Sequence, residues 1–138
     1  MTAYVDSSVL LRLVLQQPGV LREWNSIARG VASPLVELEC LRTLDRLRLR
    51  LRIADSEIAR RRESVFRALD GMELVELGPM VLSRASQTLP TELGTLDAIH
   101  LASALLWRDT AGADLAMATH DTALAVAARA FGLRVLGS

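Results

Sequence analysis

The stretch from Leu96 to Trp107, LDAIHLASALLW, constrains this chain more than any other. Gly94 and Thr95 precede it as a turn residue and a helix N-cap, which places Asp97 in the first helical turn. Beyond Asp97, the residues Ala98, Ile99, Leu101, Ala102, Ala104, Leu105 and Leu106 leave almost no polar face. A helix that is apolar around most of its circumference must be covered around most of it. The fold must therefore wrap a core helix and hold a carboxylate at its mouth. Burying that charge is costly unless the helix N-terminus, an arginine or a metal ion offsets it. First-turn acids are ordinary dipole chemistry, so Asp97 alone decides nothing.

The rest of the chain reads as strands separated by helices. Thr2 to Val5 is β-favouring and leads through Asp6-Ser7-Ser8 into a helix capped by a serine. Pro18 opens a short helix through about Ala28, stopped by Gly30. Gly30 to Ser33 is a strand, and Pro34 starts a helix reaching about Arg52 with Leu35, Leu38, Leu41 (or Cys40), Leu44 and Leu47 at helical spacing. Within it, Arg46 to Arg52 reads RLRLRLR, a strand-like alternation. Leu and Arg favour helix, and no turn signal precedes the run, so helix is preferred. Asp55 or Ser56 caps a helix to about Asp70, with Gly71 as its stop. Met72 to Leu77 is a strand, Met80 to Leu89 a helix, and Asp114 to Ala118 a strand. After the turn Thr119-His120-Asp121, Thr122 to Phe131 is a helix and Leu133 to Leu136 the last strand. This alternation predicts an α/β domain, 1–138, with a parallel sheet of four or five strands and helices on both faces.

Composition narrows the function classes. The 138 residues carry 16 basic and 16 acidic groups, so net charge points to no partner. Every basic residue is arginine. The one cysteine, Cys40, has no intramolecular disulfide partner and reads as a small core residue. The N-terminal segment lacks a basic region before its apolar residues, and Asp6 and Arg12 interrupt them. No run approaches the ~18 apolar residues of a membrane span. The expectation is a cytoplasmic protein with no membrane segment.

The acids bear on chemistry. Asp6 ends the first predicted strand and Asp121 follows the fourth. Ligands of open α/β sheets bind outside the carboxyl ends of strands, where strand order reverses. Asp97 at a helix start, and Glu37 or Glu39 in the first turns of the long helix, could join them there. Clustered carboxylates repel and raise one another's pKa unless a hard cation such as Mg²⁺ or Mn²⁺ accepts their oxygens.

Four stretches bearing these acids resemble the PIN-domain ribonucleases, most closely the VapC toxins of bacterial toxin–antitoxin pairs. AYVDSSVLLRL is similar to the family's first strand and its acid, Asp6. ASPLVELECLRTL resembles the segment with a glutamate three residues before an arginine, which selects Glu39, with Arg42, over Glu37. TLDAIHLASALL matches the third-acid motif at Asp97, and ATHDTALAVAARAFGLRVL resembles the fourth at Asp121. The resemblance spans essentially the whole chain. It implies a PIN-like three-layer fold and metal-dependent hydrolysis of RNA phosphodiesters by one or two Mg²⁺ or Mn²⁺ ions. Asp6 and Asp97 would be the principal ligands, with Glu39 and Asp121 completing the set. Ser8, Thr119 and Arg42 would support them from outside. It also implies a homodimer and a VapB-like antitoxin, and the leucine-rich helices between Pro34 and Leu69 are where the dimer interface is expected.

Other residues compete for roles. His100 and His120 each lie near a candidate acid, but no cysteine or third histidine completes a zinc set. His100 reads as a satisfied core histidine. Ser7 and Ser8 lack the elbow and base of a nucleophile. Between Arg42 and Arg67, nine arginines face four acids. That excess, with Arg46, Arg48, Arg50 and Arg52 at its centre, suits RNA phosphate, an acidic antitoxin segment or simply a salt-bridged solvated helix pair. Two other functions fit an acid-lined α/β domain. One is a catalytically silent PIN-like module binding RNA or protein. The other is a phosphoryl-accepting receiver, which would need a lysine that this sequence lacks.

Overall fold

A computed structural model describes residues 1–138. Five parallel strands form one sheet: β1 (Thr2–Val5), β2 (Arg29–Ala32), β3 (Met72–Leu74), β4 (Ala116–Ala118) and β5 (Arg134–Leu136). Their order is β3-β2-β1-β4-β5, so the chain builds outward from β1 on one side and then crosses to the other. Ala3 pairs with Gly30 of β2 and with Ala116 of β4, which fixes the register on both sides of β1. The order reverses between β1 and β4, and ligand crevices form where it does.

Six helices cover the sheet: α1 (Ser7–Val14), α2 (Leu35–Leu51), α3 (Asp55–Asp70), α4 (Pro79–Ala85), α5 (Thr95–Ala111) and α6 (Thr122–Ala130). Strand side chains alternate between two cores. Tyr4, Val31 and Met117 join Leu101, Leu105 and Trp107 of α5 and Leu124 of α6. Ala3, Val5, Ala32, Ala116 and Ala118 point the other way, toward α1 and the α2–α3 pair. The apolar stretch that opened the argument is α5, with Ala98, His100 to Leu105 and Trp107 buried.

The RLRLRLR run is helical. Leu47 is half-buried while Leu49 and Leu51 are exposed, so its leucines serve different surfaces rather than one strand face. Cys40 is a fully buried core residue whose thiol pKa burial pushes up to about 12. Five expectations need correction. No helix runs from Pro18 to Ala28; only a short 3-10 turn at Trp24–Ser26 forms. Gly19 takes a left-handed φ of 82°, which is incompatible with a continuing helix, and Leu21 then docks beside Val9 under the sheet. The first helix is capped by Asp6, which accepts from the Val9 N–H, and not by a serine. The expected cap of α5, Thr95, is already inside the helix and Gly94 precedes it. The strand expected at 72–77 and the helix expected at 80–89 are both shorter, ending at Leu74 and Ala85.

Candidate active site at the carboxyl edge of the sheet

Asp6 follows the last residue of β1 and is only 3% exposed. Its burial is offset by three donors. Ser8 Oγ donates to Oδ1 at 2.6 Å, the Val9 N–H to Oδ1 at 3.3 Å, and Thr119 Oγ1 to Oδ2 at 2.6 Å. Thr119 stands just beyond β4, fully buried, and its Oγ1 also accepts from the Asp121 N–H at 3.0 Å. Ser8 Oγ in turn accepts from the His120 N–H at 2.9 Å. Two hydroxyls thus tie the β1–α1 turn to the β4–α6 turn. Asp121 caps α6, with Oδ1 accepting from the Leu124 N–H at 2.8 Å. Both acids therefore sit at helix N-termini, where the backbone favours negative charge.

The other two acids come from helices. Glu39, in the second turn of α2, accepts at Oε1 from His100 Nε2 at 2.6 Å. His100 is 1% exposed on α5, and its Nδ1 lies 2.8 Å from the Tyr4 hydroxyl. Asp97 begins α5 one turn earlier. Its carboxyl pKa is raised, first by burial, then by the charge of Asp121, with Asp6 and Glu39 adding and His100 opposing. The fold therefore gathers all four acids at one edge, close enough for their charges to act on Asp97.

No three of these side chains close around one point at ligating distance. They form an open rim rather than a finished cage. The donor set nevertheless suits a hard divalent cation. Asp97 takes no hydrogen bond from the protein among the influences on its carboxyl. Glu39 and Asp121 each engage a donor at only one oxygen. Carboxylate oxygens held near one another with free lone pairs and no arginine among them are what Mg²⁺ or Mn²⁺ takes.

Several expected residues lie elsewhere. Arg42 does not touch Glu39. It pairs with Asp45 at 3.3 Å on the exposed side of α2, because residues three apart meet along the helix surface. Glu37 is solvent-exposed. Arg48 also pairs with Asp45, and Arg46 donates to the Thr43 hydroxyl. Arg50 and Arg52 make no ion pair, and Arg52 ends α2 in a left-handed conformation. His120 hydrogen-bonds through Nδ1 to the Gly137 carbonyl at 2.9 Å. His100 is the satisfied core histidine the sequence suggested, buried with both ring nitrogens partnered, but its partners Glu39 and Tyr4 were not anticipated. The signal was available, since His100 follows Asp97 by one helical turn and Tyr4 shares its strand face with Asp6.

These features first define a class: a parallel α/β domain with a carboxylate rim at its topological switch point. The comparison with known proteins goes further. The PIN domain model matches residues 3–130, and the chain belongs to the PIN-domain family. It is 33% identical over 137 residues to Ribonuclease VapC46 of Mycobacterium tuberculosis, covering 96% of this chain and 95% of that protein. It is 32% identical over 103 residues to Ribonuclease VapC47 of the same organism, with 73% of each covered. The crystal structure of PAE2754 from Pyrobaculum aerophilum shares the fold at TM-score 0.57 and 18% identity, over 91% of this chain and 84% of that one.

Proposed function

We propose that this chain is a divalent-metal-dependent endoribonuclease, the toxin of a toxin–antitoxin pair. One observation carries the reading: Asp97 sits without a protein donor amid the charges of Asp121, Asp6 and Glu39. Such a cluster is costly for the fold alone and sensible for a cation site. The family and the two ribonuclease relatives supply the reaction class. Asp6, Asp97, Glu39 and Asp121 would hold one or two Mg²⁺ or Mn²⁺ ions, and such ions supply an activated water and neutralise charge on the phosphorane-like transition state. Asp6 is oriented by Ser8 and Thr119 and so presents one fixed carboxylate plane. Asp121 is fixed by its capping bond, and Glu39 by His100. No side chain in the rim is poised as a covalent nucleophile, so water is the attacking group.

Two partners belong to the same reading. A VapB-like antitoxin would restrain the nuclease, and a second copy would pack on the α2–α3 pair, which exposes Leu38, Leu49, Leu51 and Phe66. Leu44 of the same helix is 1% exposed within the monomer core and is not available to a partner. No helix is long and apolar enough to cross a membrane, and the proposal places the protein in the cytoplasm.

RNA cleavage by the antitoxin-free protein with Mn²⁺ tests the reading. Cleavage should vanish with EDTA and fall at least about a hundredfold in Asp6→Asn and Asp97→Asn, beyond what loss of an outer-shell partner usually costs. Cleavage that survives both substitutions would place the activity elsewhere. A folded wild type that binds no Mn²⁺ would favour the silent binding module.

A further inference from the structure

A three-residue relay crosses the molecule behind the acid rim: Glu39 on α2, His100 on α5 and Tyr4 on β1. Its inner members are almost fully enclosed, His100 at 1% and Tyr4 at 0% exposure. Its two links are 2.6 and 2.8 Å. A glutamate side chain in the second turn of a helix is ordinarily free to sample several rotamers, and ordering it costs entropy. Here one carboxylate oxygen is held by a ring that packing cannot release, edge-on to Tyr4 with centroids 5.9 Å apart. The other oxygen makes no hydrogen bond within the protein, and the charge of Glu39 acts on Asp97.

The direction of the relay follows from donor chemistry. A carboxylate only accepts, so Nε2 must carry a proton toward Glu39. A tyrosine hydroxyl carries its proton well past neutral pH, so Tyr4 is a donor here. The Tyr4 hydroxyl lies 2.8 Å from Nδ1, with the Ser103 and Ser33 side chains also close to it, so Nδ1 can accept from Tyr4 while Nε2–H donates to Glu39. We propose that His100 is a positioning residue for Glu39, with Tyr4 locking its tautomer, so that Glu39 meets a divalent cation with one oxygen already fixed. Histidines that ligate metals are themselves oriented by carboxylates; here the roles are exchanged, with the carboxylate as ligand and the imidazole as its support. The inference rests on the metal-site reading above and adds two residues that never touch the cation.

Two measurements test it. The first needs no metal: two-bond ¹⁵N–¹H correlations of the His100 ring should show the Nε2–H tautomer in the wild type, and the Nδ1 resonance should lose its hydrogen-bonded shift in Tyr4→Phe. A ring protonated only on Nδ1 would overturn the proposal even if the protein cleaves RNA. The second is Mn²⁺ affinity by calorimetry on folded variants. His100→Ala should bind about 10–100-fold more weakly, the usual cost of removing a ligand's outer partner. His100→Gln, which keeps an amide N–H at the place of Nε2–H, should recover most of the loss. Tyr4→Phe preserves the core volume and should fall between, which covers failure of His100→Ala to fold. Equal affinity across these variants would overturn the positioning role. A wild type that binds no Mn²⁺ overturns the cation's part in it, while the tautomer result still decides whether the relay exists.

Discussion

Two charged regions of this molecule are built on opposite principles. On the α2–α3 pair, acids pair with arginines near them along the helix surface: Asp45 with Arg42 and Arg48, Glu57 with Arg60 and Arg61, Glu63 with Arg67. Arg48, ahead of Arg42, holds the Asp45 carboxyl below its usual range. These pairs sit three or four residues apart on helix surfaces and ask nothing of the fold. At the carboxyl edge of the sheet, like charges are instead brought together from four separate elements, partly buried, with one raised carboxyl among them. Helix surfaces generate the first arrangement by themselves. The second exists only because the topology forces it, and that difference separates a solvated face from a candidate site.

The comparison can be broken most forcefully at Thr119. Its hydroxyl joins Asp6 Oδ2 to the Asp121 N–H inside the protein. Thr119→Val keeps the shape but leaves a buried carboxylate oxygen and a backbone N–H without partners. Each such orphan costs about 1–3 kcal/mol, so urea unfolding should show a loss of about 3 kcal/mol with an unchanged m-value. A loss under about 0.5 kcal/mol would mean that water replaces the hydroxyl and that the rim is not held by this network.

How much of this was legible in the sequence depends on whether a feature is local. The helix at 35–51, the Gly71 stop, the parallel sheet and the strand-end positions of Asp6 and Asp121 all follow from propensity, punctuation and alternation. The helix expected after Pro18 failed because propensity could not foresee that Gly19 would take a left-handed turn to dock Leu21. Arg42 was assigned by motif spacing to the site, yet spacing along a helix also serves Asp45, and the local pair prevailed. The Glu39–His100–Tyr4 relay joins three elements, and no one-dimensional pattern states which buried histidine meets which carboxylate.

A smaller effect sharpens the comparison at Asp97. Its raised pKa means that, just above the ordinary carboxylate range, the folded metal-free protein binds more protons than the unfolded chain. Unfolding then releases protons, and stability falls as pH rises through that window. Asp97→Asn removes the charge, so the metal-free variant should melt higher than wild type at neutral pH and lose that slope. Adding Mn²⁺ should reverse the order: at a hundred times its dissociation constant a ligand stabilises by about 2.7 kcal/mol, available only to the protein that binds it. A metal-free Asp97→Asn that melts lower than wild type would show that helix-terminal stabilisation outweighs repulsion in the rim.

The smallest expected effect separates arginines by position rather than by number. Arg12 and Arg22 line a cavity of about 600 Å³ together with Glu23 and His120, the residue before Asp121, whereas Arg50 and Arg52 stand at the far end of α2. An RNA backbone entering the rim would pass cations on the near flank, and each phosphate contact adds about one unit to the salt dependence of binding. Arg22→Gln should therefore weaken binding of catalytically silenced protein to RNA and lower that slope by about 1. Arg50→Gln should leave the slope unchanged and shift stability by no more than about 0.5 kcal/mol, as surface substitutions do. If Arg50→Gln lowers the slope and Arg22→Gln does not, the arginine-rich helices are an RNA surface after all, and the contrast between a solvated face and a working site would have to be redrawn.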